Sequence, residues 1–189
     1  MIGLSENGKV EVLGSDADLH WHEHFIAFLA AIVKPKIYVE LGLNTCTLFN
    51  RIIPYAAQLI GLGLDSSSRK YMQMSAKTRF IYADTKAFAQ YLSNNPIQID
   101  MLAINAGHSK NAIEQDFEAY FPFVASDGII ILHDNRYFEN VEQTDTGCRD
   151  GCFAIDKLFH STDEYEILTI PVAVPPGLKL CKKRMLQLA

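Results

Sequence analysis

The chain has 189 residues, 49% of them apolar and 21% charged, and a formal charge of −5. That size and balance suit one ordinary soluble domain with a full core. There is no dense Lys/Arg patch of the kind a nucleic-acid binder carries, and no apolar run long enough to cross a bilayer.

Residues 1–15 read as a polar N-terminal extension, without the basic and apolar regions of a signal peptide, so a cytoplasmic location is expected. Residues 16–33 read as a helix capped by Ser15 or Asp16, with Leu19, Phe25, Ile26, Leu29, Ile32 and Val33 on one face. "IYVEL" (37–41) is a buried strand. A glycine turn at Gly42 leads into a helix over 46–53 that stops near Pro54. "LIGLGLD" (59–65) is a second strand, followed by a serine-capped helix over 67–76. "RFIYAD" (79–84) is a third strand, followed by a crossover helix in "KAFAQYLSN". "IDMLAIN" (99–105) is a fourth strand, followed by a helix over 109–125. "GIIILHD" (128–134) is a fifth.

The alternation of short apolar strands with helices predicts a parallel sheet covered on both faces. The tail departs from it. A helix over 148–160 precedes "YEILTIP" and "GLKLCKK", which a Pro-Pro-Gly turn at 175–177 joins as an antiparallel hairpin. "KLCKKR" is the one basic cluster and reads as a strand end. Cys46, Cys148, Cys152 and Cys181 match neither a disulfide framework nor a zinc motif.

Ligands of open α/β sheets bind at the C-terminal strand ends. Here those ends carry Glu40 and Gly42, then Asp65, Asp84, Asn105, and His133 with Asp134 and Asn135. Asp and Asn favour such positions as caps in any case, but the whole set is harder to explain that way. Asp65 is the acid expected to accept hydrogen bonds from a ribose diol. The pattern is not G-x-G-x-x-G, which disfavours a nicotinamide-dependent oxidoreductase.

"VELGLNTCTL…LIGLGLD…RFIYAD…IDMLAINAGHSKNAIEQDFEAYFPFVASDGIIILHDN" resembles the class I S-adenosylmethionine-dependent methyltransferases. The small-molecule O-methyltransferases with H-D after the fifth strand are the nearest type, and the resemblance covers roughly residues 16–183. It implies a Rossmann-like α/β fold with a seven-stranded sheet in the order 3-2-1-4-5-7-6, helices on both faces and the C-terminal hairpin, as a single domain over 1–189. It also implies S-adenosylmethionine as cofactor. Glu40 and Gly42 would open the cofactor loop, Asn44, Thr45 and Thr47 line it, Asp65 hold the ribose, and Ala83 and Asp84 flank the adenine. Asn105 falls where metal-dependent relatives place an acid, with Asp134 and Asn135 as further ligands for Mg²⁺.

The sequence departs from that pattern at three places. The second glycine of E-x-G-x-x-x-G is Cys46, whose Cβ and sulfur are expected to crowd the cofactor. The metal acid is Asn105, a weaker ligand for a hard cation. "D-G-D-H-S" has become "N-A-G-H-S", keeping His108. His108 and His133 are the candidate general bases. "LHWHEH" places His20, His22 and His24 close together, with His20 and His24 one turn apart. A solvated helix face is the expectation there rather than a metal pair, although the helix before the first strand often borders the acceptor pocket in related methyltransferases, which makes these histidines and Trp21 candidates for substrate contact. The function expected is methyl transfer to a hydroxyl of a small molecule or carbohydrate, with a homodimer as an option and no nucleic-acid or membrane partner. The alternative is a catalytically silent relative acting as a binding or assembly protein.

Overall fold

The computed structural model describes residues 2–4, 10–12, 21–106, 110–133, 161–170 and 178–184. The expected helix over 148–160, the Pro-Pro-Gly turn, His20 and the 107–109 and 134–135 segments lie outside them. Within 1–15, taken from the sequence as a plain extension, β1 (Ile2–Leu4) and β2 (Val10–Val12) pair antiparallel. Next come α1 (Trp21–Val33), β3 (Ile37–Leu41), α2 (Thr47–Ile52), β4 (Gln58–Gly63), β5 (Thr78–Tyr82), α3 (Thr85–Asn94), β6 (Ile99–Ile104), α4 (Lys110–Tyr120) and β7 (Val124–His133). Then β8 (Tyr165–Ile170) and β9 (Leu178–Lys183) close the sheet.

The large sheet has the order β5-β4-β3-β6-β7-β9-β8. Numbered within the sheet this is 3-2-1-4-5-7-6, as the sequence predicts. Strands β3 to β7 pair in parallel, and β9 runs antiparallel to both β7 and β8. Side-chain alternation divides the core in two. Val39, Leu41, Leu102, Ile104, Ile130 and Leu132 face Phe88 and Leu92 of α3 and Ile113, Phe117 and Tyr120 of α4. Tyr38, Met101, Ala103 and Ile131 face Ile26 and Ala30 of α1 and Leu48, Phe49 and Ile52 of α2.

Three elements differ from expectation. The helix expected over 67–76 is a single 3-10 turn, Ser66–Lys70. Three successive serines compete for backbone hydrogen bonds, and Asp65 accepts from Ser67 N at 2.7 Å, which holds a turn rather than a helix. The helix expected to reach residue 125 ends at Tyr120, where Pro122 forces a 3-10 turn over Phe121–Phe123. Strand β7 starts at Val124, four residues before the apolar run, because Asp127 takes φ 64° in a locally shifted register against β6.

Phe49 is fully buried between α2 and the sheet. Truncation to alanine would leave a cavity that rigid strands cannot close. Phe49→Ala should therefore lower unfolding free energy by about 3–5 kcal/mol, read by urea denaturation. A loss below about 1 kcal/mol would show that α2 does not seal this core.

Candidate active site at the C-terminal strand ends

The site is organised by Gly42. It follows β3 with φ 86°, and a Cβ built on it would stand 2.3 Å from Asn105 O and 2.6 Å from Ala106 Cα. Only glycine allows both the left-handed backbone and this approach. The neighbouring backbone is tied across the strands: Gly42 N donates to Leu62 O at 3.0 Å, and Asn105 N to Leu41 O at 2.8 Å. Two clefts open on either side of this contact.

The first is a slot of about 300 Å³. Its walls are Gly42, the end of β4 (Leu62, Gly63) with Leu64, the exit of β5 (Ala83, Asp84, Thr85), and Ala106 with Ala112, Gln115 and Asp116 of α4. It is mostly small and apolar, with acids at one side. The second is a tighter pocket of about 80 Å³, lined by His22, Glu23 and Ile26 of α1, Glu40 of β3, Leu43, Asn44, Thr45, Thr47, Leu48, Ala103, Asn105 and Ile131. Its lining is markedly polar.

The expected cofactor residues therefore divide. Glu40, Asn44, Thr45, Thr47 and Asn105 line the tight pocket, Ala83 and Asp84 line the slot, and Gly42 stands between. Asp65 lines neither. Strand β4 ends two residues earlier, at Gly63, so it is Gly63 that looks into the slot. Asp65 is exposed and accepts from both the backbone N–H and the hydroxyl of Ser67, bonds that hold its carboxyl below the usual range. A Cβ on Gly63 would make only ordinary contacts, 3.6 Å to Phe80 and 3.9 Å to Asp65 O, so the missing side chain is not forced by space. Asp84 also has a local task, capping α3 by accepting from Ala87 N at 2.6 Å.

Cys46 is a second correction. It does sit where a glycine conformation is used, at φ 57° as the N-cap of α2. Its side chain, however, is fully buried among Leu43, Phe49 and Met72 and lines neither cleft. The thiol donates to Ser68 O at 3.3 Å, and burial pushes its pKa up to about 11. The cysteine therefore braces the loop from beneath instead of crowding a ligand.

Two buried acids were missed. Glu23 comes from the segment expected to be a solvated face, and beside it His22, one of the histidines named for the acceptor side, lines the tight pocket. Among the described residues of that segment only His24 is exposed, while Glu23 is buried and bonded to Arg51 Nε at 3.0 Å. The signal was the pair Ile26 and Ala30, whose buried stripe passes through Glu23 at helical spacing. Asp116 is buried on α4, between Ile113 and Tyr120 at three- and four-residue spacings. Its place on the apolar stripe was the legible clue. Of the metal candidates only Asn105 lies within the described side chains. No cluster of three or more His, Cys, Asp or Glu that could hold a metal occurs among the described residues. The side chain of His133, and all of His108, Asp134 and Asn135, lie outside them.

Glu40 is the electrostatic centre of the tight pocket. It is 1% exposed and accepts from Tyr38 Oη at 2.6 Å. Burial first, then the nearby Glu23 charge, pushes its pKa up to about 8, against the opposing pull of the tyrosine hydrogen bond. Between its ordinary value near 4.5 and about 8, the folded chain holds a proton that the unfolded chain does not. Stability tied to Glu40 is thus full at acidic pH and is lost as pH rises through that window, at up to about 1.4 kcal/mol per pH unit. Glu40→Gln keeps the acceptor for Tyr38 but removes the titration. The difference in unfolding free energy, variant minus wild type, should grow from pH 5 to pH 8. A difference independent of pH would show that Glu40 does not change its proton affinity on folding.

A family profile described as "Methyltransferase domain" matches residues 4–135, more than half of the chain. No curated protein matches. Among solved structures, the chain is similar to the O-methyltransferase from Bacillus cereus in complex with SAH, at 12% identity and TM-score 0.71, covering 90% of this chain and 82% of that one. It is also similar to the O-methyltransferase TomG from Streptomyces achromogenes, involved in tomaymycin synthesis and in complex with SAM, at 11% identity and TM-score 0.71, covering 92% and 82%. The N-methyltransferase NodS from Bradyrhizobium japonicum WM9 shares 10% identity with a TM-score of 0.60, covering 90% of this chain and 99% of that one. These likenesses show the fold, and the profile shows the family: the chain belongs to the methyltransferase-domain family.

Proposed function

We propose that this chain is an S-adenosylmethionine-dependent methyltransferase acting on a hydroxyl of a small molecule or carbohydrate. The observation that carries the reading is the pairing of two clefts across Gly42. One is flat, small-walled and apolar, suited to a nucleobase and ribose. The other is narrow and polar, lined by side chains that can hydrogen-bond the amino-acid end. When bound, S-adenosylmethionine supplies an electrophilic methyl on a sulfonium. The chain's part is to align it with the acceptor oxygen, exclude water, and take the hydroxyl proton. His108 and His133 keep that last role in the proposal as the candidate bases read from the sequence.

The neutral amide of Asn105 is a poor fit to Mg²⁺, which favours carboxylates. No step is therefore assigned to a metal, and Asp134 and Asn135 stay as sequence candidates. Asn105→Asp should raise Mg²⁺ or Mn²⁺ affinity over wild type in a calorimetric titration. Tight binding by wild type, or no gain in the variant, would show that Asn105 does not mark the metal position.

One observation favours the second reading, a catalytically silent relative: the end of β4 that lines the slot is Gly63, with no side chain to hold a ribose. A single substitution separates the two. Gly63→Asp adds an acceptor where space already exists, and should tighten S-adenosylhomocysteine (SAH) binding by about 1.5–3 kcal/mol, as expected for hydrogen bonds to a charged group. Wild type should still bind SAH more weakly, through the rest of both clefts. Absence of binding to wild type at millimolar SAH, with binding to Gly63→Asp, would make the native chain the silent relative. Absence from both would remove the cofactor reading altogether.

A further inference from the structure

We propose that Asp116 reads the base in the slot, its carboxylate accepting a hydrogen bond from an exocyclic amine, so that the site selects a 6-aminopurine over a purine lacking that group. The inference rests on the cofactor reading above and adds to it a residue that the cofactor motifs do not include. Asp116 projects from the middle of α4 into the slot wall and is 6% exposed. Burying a carboxylate is costly unless donors surround it. One donor is the hydroxyl of Thr85, which also lines the slot, and desolvation still outweighs it, raising the Asp116 pKa. An ionised carboxylate has about four acceptor positions and no donor, so a single hydroxyl leaves room for a donor from a ligand.

The other polar groups of the slot sharpen this assignment. Asp84 is exposed and already accepts from Ala87 N at the start of α3. Thr85 is fixed through its backbone carbonyl, which accepts from Tyr120 Oη at 2.7 Å, so the hydroxyl facing Asp116 belongs to a braced segment. Gln115, beside Asp116, offers both an amide donor and an acceptor to ring nitrogens. Around these, Leu62, Leu64, Ala83 and Ala112 give only apolar walls. A flat ring with one donating edge suits that arrangement better than a ring that only accepts.

The test is calorimetric titration of wild type, Asp116→Asn and Asp116→Ala with SAH and with its 6-deamino analogue. Wild type should prefer SAH by about tenfold or more, as a buried charged acceptor left without a donor would dictate. Asp116→Ala should bring the two ligands to within about twofold, and Asp116→Asn should leave a few-fold preference, through its one remaining carbonyl acceptor. Thermal melts check that each variant folds, and if the alanine variant does not, the isosteric asparagine variant decides. Equal binding of both ligands by wild type, or full discrimination retained in the variants, would overturn the assignment while leaving the cofactor reading intact. Failure of SAH to bind either wild type or Gly63→Asp would defeat the cofactor reading, and Asp116's role with it.

Discussion

The architecture of the site depends on a contact that only a residue without a side chain permits. Gly42 lets the loop after β3 rest against Asn105 and Ala106, past the end of β6, and both backbones are tied to their neighbours by short hydrogen bonds. A side chain here would have to push one loop off the sheet, because what it meets is backbone and not a movable rotamer. That contact fixes the distance between the central strand ends. It also divides the crest of the sheet into an apolar slot toward β4 and β5 and an acidic pocket toward α1.

The two sides differ in how they hold charge. On the pocket side Glu40 is buried within a layer of packed apolar residues, and Tyr38 and Glu23 set its proton affinity from either side. Arg51 ties Glu23 to α2, so the acidic pocket is braced by the same α1–α2 packing that seals the core around Phe49. On the slot side the carboxylate of Asp84 serves a local cap, leaving Asp116 as the buried acid of that wall. Polar groups therefore line one end, and a buried acceptor for a hydrogen-bond donor the other. An adenosyl amino acid carries a base at one end and an amino-acid group at the other.

The fold was largely legible because parallel strands buried on both faces leave short unbroken apolar runs, and each short run read as a strand became one, whereas the longer run Phe25–Val33 is helix α1. The strand order followed from resemblance, not from the runs themselves. The site was less legible, since its geometry turns on where strands stop. "LIGLGLD" reads through to Asp65, yet β4 ends at Gly63, and a shift of two residues exchanges an acid for no side chain at all. Cys46 was rightly placed at a glycine position, but the direction of its thiol depends on the αL backbone and on Ser68, 22 residues away. His22 and Glu23 looked like a solvated face because histidine and glutamate are usually exposed, and only the packing of α1 on α2 and β3 turns them inward.

The central claim is that one ligand spans both clefts across Gly42. Amide hydrogen exchange with and without saturating SAH tests it most directly, because protection reports position as well as binding. The account predicts slowed exchange together at Gly42–Thr47, Gly63 and Leu64, and Ala83–Thr85, with little change in β8 and β9. Protection confined to one cleft, or lying elsewhere on the chain, would contradict it.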